Sequence, residues 1–208
     1  LTMLGLDISD EMTWESLKRI VAHADERGNF VRIDMEGSPY TERTLALFRR
    51  IHDEFPQAVG IVLQSYLYRT DSDVEEMIAR GARVRIVKGA YKEPETVAYP
   101  HKSDVDAAYR RHIKLLLKSG NYPAIAPHDE SMLRGAKIYA EGIGAGPDRF
   151  EFQMLYGVRR DLQETLAAEG YNMRVYVPYG TMWYPYFMRR LAERPANVFF
   201  ILKNLIRR

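Results

Sequence analysis

Cysteine is absent from all 208 residues, which removes a disulfide framework, a thiolate zinc site and a cysteine nucleophile at once. A charge surplus is missing too. With 30 Lys and Arg against 28 Asp and Glu, the formal net charge is +2, far from the concentrated basic excess of a dedicated nucleic-acid binder. No apolar run approaches the roughly 18 residues of a spanning helix, and no signal-peptide pattern stands at the start. The chain lacks a G-x-G-x-x-G and a P-loop, which disfavours a Rossmann-type dinucleotide site. It also lacks an H-E-x-x-H or similar ligand cluster, so no metal is expected. No Ser/Gly-rich linker or low-complexity tract breaks it. At this length, with 46% hydrophobic residues, the expectation is a soluble, cytoplasmic protein with a single domain over residues 1–208.

What is present is an alternation of short β-branched segments with amphipathic ones. Phe30 to Met35, Val59 to Gln64, Val84 to Val87, Phe150 to Met154 and Arg174 to Val177 read as strands, with Tyr122 to Ala126 a weaker one because of Pro123. Trp14, Leu17, Val21 and Ala24 recur at helical spacing, as do Leu45, Phe48 and Phe55. Ser72 with Glu75 fits a capping box ahead of Val74, Met77 and Ile78, with Gly81 beyond the end. Helical stretches from Ser103 and after Asp161 stop at Gly120 and Gly170. Successive βα units of this size imply a parallel sheet with crossover helices.

The strands themselves carry a second signal. Strands of a sheet covered on both faces normally read as continuous apolar runs, yet Val31 and Ile33 alternate with Arg32 and Asp34, and Val84 and Ile86 with Arg83 and Arg85. Val175 and Val177 alternate with Arg174 and Tyr176, and Glu151 and Gln153 flank Phe152 in the same way. One face suits helix packing and the other is polar. Closing such a sheet sends the charged faces into a shared lumen, where they must pair with each other or with a ligand. The fold expected is α/β, a distorted (β/α)8 TIM-like barrel. A complete barrel takes about 250 residues and only Leu1 to Met3 precede the first helix, so the first strand–helix unit is expected to be missing.

Asp34 and Arg85 fall near the carboxyl ends of their strands, where barrel active sites are built; an internal salt bridge is the plainer alternative. Gln64 ends an apolar run with a carboxamide that can donate and accept at once. Gly89, in Val87-Lys88-Gly89-Ala90-Tyr91, would allow close approach to a flat cofactor. His128 ends another strand and suits a hydrogen bond to a phosphate or ribose better than a metal. Arg189 and Arg190 differ from the scattered twin arginines elsewhere. They sit among aromatics with Tyr186 one turn before and Glu193 one turn after, which makes either a bidentate carboxylate clamp or a stacked core edge.

Phe-Val-Arg-Ile-Asp-Met-Glu, Gly-Ile-Val-Leu-Gln-Ser-Tyr, Arg-Ile-Val-Lys-Gly-Ala-Tyr, Phe-Glu-Phe-Gln-Met-Leu-Tyr-Gly and the Tyr-x-x-Arg-Arg-Leu-x-Glu helix together resemble proline dehydrogenase in order and spacing, most closely the bacterial monofunctional enzymes. The resemblance implies a distorted (β/α)8 barrel holding FAD, which oxidises L-proline to Δ1-pyrroline-5-carboxylate by hydride transfer to the flavin and passes electrons to a quinone. It implies a cytoplasmic protein with peripheral contact at the inner membrane as an option. Asp34 and Arg85 would form the active-site pair, Arg85 near the flavin N5. Met35, Gln64, Val87, Lys88, Gly89, Ala90 and His128 would contact FAD. Ala90 and Tyr91 would pack by isoalloxazine and substrate, Leu155, Tyr176 and Tyr186 would wall the proline ring, Arg189 and Arg190 would hold its carboxylate, and Glu193 would pair with that clamp. Two departures stand out. A lysine that the family carries on a strand ahead of this chain's start is absent, and Pro127 replaces the family's frequent Thr. Two other readings of the residues are a cofactor-free barrel lyase or aldolase using Lys88 as a Schiff-base amine, and a non-catalytic carboxylate-binding module.

Overall fold

A computed structural model describes residues 1–181 of the chain. After a short 3-10 turn, Thr2–Leu4, helices and strands alternate: α1 Asp10–Asp25, β1 Val31–Ile33, α2 Ser38–Glu54, β2 Val59–Gln64, α3 Thr70–Ala79, β3 Arg83–Val87, α4 Lys102–Ser119, β4 Ala124–Ile125, α5 Glu130–Gly142, β5 Glu151–Leu155, α6 Arg160–Ala168 and β6 Asn172–Tyr176. All six strands are parallel and lie in chain order, β1 to β6. Together they form the curled half-barrel expected of a distorted TIM-like barrel.

Over β1 to β5 the two faces of the sheet divide as the alternation of residues demands; on β6 they do not, since Val175 is only half-buried and Val177, just past the strand, is 60% exposed, both lining the cavity. Ile33, Ile61, Leu63, Val84, Ile86, Ile125, Phe152 and Met154 are buried in one continuous core. The helices supply its other half: Trp14, Leu17 and Val21 from α1, Leu45, Phe48 and Ile51 from α2, Tyr109, Ile113 and Leu116 from α4. These positions recur every three or four residues, so each helix lays one apolar stripe on the sheet. Ser9 accepts from the Met12 amide to cap α1, and the Arg50 guanidinium on α2 lies 3.8 Å from the Trp14 ring centre, covering the seam.

The opposite face is polar and concave. Register places Arg32 beside Gly60 and Gly60 beside Arg83. A side chain on Gly60 would come within 2.6 Å of Arg32 Nη1 and 2.5 Å of the Arg83 carbonyl oxygen. The missing Cβ is therefore the passage through which Arg32 crosses β2 to donate to the carbonyls of Ile61 (3.2 Å) and Arg83 (2.5 Å).

Two local readings change. Ser72 does not cap α3. The helix starts earlier, at Thr70, and the Ser72 hydroxyl donates back to the Arg69 carbonyl at 2.8 Å. The start is fixed instead by Thr70 Oγ1 donating to the buried Gln64 carbonyl (2.6 Å) and by Arg69 gripping Asp73 and Glu42. Helix α5 was not read from the sequence. Asp129 caps it, accepting from the Ser131 amide at 2.9 Å, and Met132, Leu133, Ala136 and Ala140 form its buried stripe. Among the described residues no helix is long and apolar enough to cross a membrane.

Candidate active site

The inward side chains of β1, β3, β5 and β6 meet around a cavity of about 300 Å³ lined by Arg32, Asp34, Arg83, Arg85, Glu151, Gln153, Arg174 and Tyr176, among others. Their polar atoms form a chain across it. Arg85 Nη2 donates to Asp34 Oδ1, and Arg85 Nη1 lies 3.5 Å from Gln153 Oε1. Gln153 Nε2 donates to Glu151 Oε1, and Arg174 donates to both Glu151 oxygens at 2.9 Å. The Arg85 guanidinium also sits 5.8 Å from the Tyr176 ring centre. Gln153 is thus the neutral coupler between two ion pairs, Arg85–Asp34 and Arg174–Glu151.

The electrostatics follow from how deep each group lies. Burial, reinforced by the Arg85 charge, holds the Arg32 guanidinium down to about 9. Burial pushes the Glu151 carboxyl up, but hydrogen bonds from Arg174 and Gln153 outweigh it and leave the group below the usual carboxylate range. Arg174 and Asp34 are the open ends of the chain, their side chains 66% and 49% exposed, against 14% for Arg85 and 4% for Glu151. Four arginines thus face two carboxylates on the described part of the wall, so the cavity favours anionic or neutral occupants over cations.

The outer rim is set by β2, β3 and the turns that follow β3 and β4. Gln64 pairs in register with Val87. It is 4% exposed, and its Oε1 is buried without a hydrogen-bond partner among the described residues. A carboxamide so placed is costly unless something else donates to it. The His128 ring takes the Leu155 amide on Nε2 at 3.1 Å, so the neutral ring carries its proton on Nδ1, a spare donor. Burial and the Arg159 charge lower its pKa to about 4, so the ring is neutral near pH 7.

A family model described as proline dehydrogenase matches residues 3–203. The chain belongs to the proline dehydrogenase family. It is 46% identical over 208 residues to proline dehydrogenase 2 of Bacillus subtilis (all of this chain, 68% of that protein) and 48% identical over 199 residues to proline dehydrogenase of Deinococcus radiodurans (95% of this chain, 64% of that protein). Among solved structures, proline utilization A (PutA) from Bdellovibrio bacteriovorus, inactivated by N-propargylglycine, superposes with a TM-score of 0.76 at 33% identity. That match covers 84% of this chain and 20% of the PutA chain. The chain therefore spans about two thirds of its curated relatives and a fifth of the structural one.

For a member of the proline dehydrogenase family, the expected site residues fall into three groups. Asp34, Arg85 and Tyr176 converge on the cavity. Leu155 stands beside Tyr176 in register and is tied to His128. Gln64, Val87, Lys88, Gly89, Ala90 and Tyr91 follow one another along the β2–β3 edge. Met35, by contrast, is buried in the apolar core, and Pro127 is buried ahead of His128. Lys88 is held by Asp106 (2.6 Å) and Asp129 (3.5 Å), not presented as the free amine that a Schiff base requires. Tyr186, Arg189, Arg190 and Glu193 lie outside the described residues.

Sequence reading missed Tyr66. Gly89 has φ +113°, and a Cβ there would meet the Tyr66 ring at 2.3 Å. The open space at this glycine is filled by that ring and not left for a ligand. Tyr66 also donates its amide to the Lys88 carbonyl (2.9 Å) and its hydroxyl to Glu93 (3.3 Å), so it is the anvil on which Val87 to Tyr91 is shaped.

Proposed function

We propose that the protein holds FAD at the carboxyl end of its strands and oxidises L-proline to Δ1-pyrroline-5-carboxylate, passing the electrons to a quinone. The observation that carries this reading is the inward Arg85, locked by Asp34 and Gln153 under Tyr176, in a chain of this family. The residues present fit the cofactor. The buried, unpartnered Gln64 Oε1 suits a heterocycle N–H, and the Nδ1 proton of a neutral His128 suits a phosphate or ribose oxygen. Arg85, Val87, Lys88 and Ala90 would complete the holding set, with Met35 and Gly89, whose side-chain positions are taken up by the core and by Tyr66, offering backbone alone. Bound there, the flavin supplies a two-electron acceptor.

The chain's own groups would do the rest. Arg85 is a fixed positive charge, and Asp34 and Gln153 leave its guanidinium little freedom to swing away as negative charge develops beside it. The surplus of arginines on the wall works against a cationic amine, which favours the neutral proline nitrogen that oxidation requires. Leu155, Tyr176, Ala90, Tyr91 and Tyr186 would enclose the ring, Arg189 and Arg190 would grip the carboxylate bidentately, and Glu193 would steady that clamp, giving the orientation that hydride loss demands. The family resemblance supports the quinone acceptor and the cytoplasmic setting with peripheral membrane contact.

The test is a spectrum of the full-length protein. Flavin absorbance near about 450 nm, bleached by L-proline without oxygen, is the expected result; a colourless protein, or one unbleached by proline, overturns the reading. N-propargylglycine, the inactivator of the Bdellovibrio relative, is expected to abolish activity irreversibly.

A further inference from the structure

Residues 88–101 do not run straight from β3 to α4. They fold back as a strap across the β2–α3 turn. At its far end the Tyr68 amide donates to the Val97 carbonyl (3.1 Å) and the Tyr99 amide to the Tyr66 carbonyl (2.8 Å). The Tyr68 and Tyr99 rings meet edge to face at 4.7 Å. Tyr66, Leu67 and Ala98 form a small core of their own, separate from the main one. At its near end Gly89 is seated on Tyr66. The segment between carries Ala90 and Tyr91, and Glu93 ties it inward to α2.

Glu93 is half-buried, whereas Lys92, Pro94, Glu95 and Thr96 around it are exposed. Its Oε1 accepts from the Ser38 amide at 2.7 Å and from the Tyr66 hydroxyl at 3.3 Å, and its Oε2 accepts from the Ser38 hydroxyl. Ser38 is the first residue of α2, capped by Gly37, which has no side chain to do the job. The orphan amides of that helix end and its dipole both favour a carboxylate. The strap therefore reaches over β2 and supplies, from 55 residues away, the cap that the local sequence lacks. The turn it grips begins at Asp34.

We propose that Glu93 is a positioning residue: a clasp that sets Ala90 and Tyr91, on the strap, against Asp34, on the β1–α2 turn, and so fixes the width of the substrate site. The inference rests on the proline-oxidising reading. It assigns Glu93 no contact with substrate; its effect passes through Tyr91.

The experiment uses the full-length holoenzyme with Glu93→Ala and Glu93→Gln, in steady-state proline kinetics beside the flavin spectrum. Glu93→Ala is expected to raise the proline KM about tenfold with kcat held within about twofold and the flavin content unchanged. Glu93→Gln keeps an acceptor for the Ser38 amide but no charge, and is expected to raise KM about threefold. A KM unmoved in both variants, whatever happens to thermal stability, reduces Glu93 to a helix cap and overturns the proposal. A KM rise accompanied by flavin loss also overturns it, since that places the effect on cofactor binding. If Glu93→Ala does not fold, the KM of Glu93→Gln decides alone. Absence of flavin reduction by proline in the unmodified enzyme would instead bring down the functional reading itself.

Discussion

Arg85 reaches past an intervening strand to Asp34: its guanidinium, rooted on β3, donates to the carboxylate at the end of β1, with β2 between them. The reach is open because the inward positions of β2 at that level are small. Val62 lies in register with Arg85, and Gly60 with Arg32. The same guanidinium is approached by Gln153 from the far side, so one charged head gathers β1, β3 and β5.

Asp34→Ala separates activity from stability. The carboxylate is half exposed, so its ion pair contributes about 1 kcal/mol or less to folding. With Arg85 released, kcat/KM for proline is expected to fall about a hundredfold, while the denaturant midpoint barely moves. A large loss of stability with retained activity would reverse the assignment.

Glu151→Gln should do the opposite. Glu151 is 3% exposed and accepts from Arg174 and Gln153, with the buried Arg32 charge nearby. Removing the charge leaves the buried Arg32 guanidinium short of a counter-ion, whereas Arg174, 66% exposed, is served by water; the expected cost is about 3 kcal/mol in urea unfolding. The wild-type contribution is present above the ordinary glutamate pKa and is lost as pH falls through the depressed folded value.

His128 gives a second pH signature of different origin. Its folded pKa, lowered to about 4 by burial and then by Arg159, lies below the unfolded value. Between about pH 6.5 and about 4 the unfolded chain binds a proton that the folded ring refuses, so stability declines with acid across that window. His128→Asn keeps an acceptor for the Leu155 amide and does not titrate. Its unfolding free energy should drop less than the wild type's between about pH 7.5 and 5, by about 1–2 kcal/mol.

Gly89→Ala tests the Tyr66 seat. The substitution meets both a positive φ and the ring at 2.3 Å, and about 2–4 kcal/mol of destabilisation is expected. Adding Tyr66→Ala removes the overlap but not the φ penalty, so the double variant should be more stable than the sum of the two single changes. Strict additivity in thermal melts would show that the ring is not what the glycine accommodates.

Asp34 and Arg85 were legible because polar residues at alternate positions, next to a strand's end, can only face inward. All six strands were legible as short β-branched segments, β4 more weakly because Pro123 stands just before it. Partner choice was not. That Gln153 bridges Arg85 to Glu151, and that Glu151 takes Arg174, depends on strand order and register, which alternation alone leaves open. Tyr66 was hidden because a tyrosine closing an apolar run looks like core, and its role exists only once residue 98 folds back beside residue 67. Helix α5 escaped notice because Gly135 lies within its stripe of Met132, Leu133, Ala136 and Ala140, and Gly142 ends it. The Ser72 capping box failed because the Arg69 side chain and Thr70 hydroxyl set the helix start first.

The ionised inner wall also bears on how faithfully the sheet assembles. If β3 slid by a single position against β2, Arg83 and Arg85 would swing into the oily layer beneath the helices, and Val84 and Ile86 would take their place around the cavity. Such a mispaired sheet would strand two guanidiniums in hydrocarbon, so the charges that equip the interior also proofread the alignment of the strands that carry them.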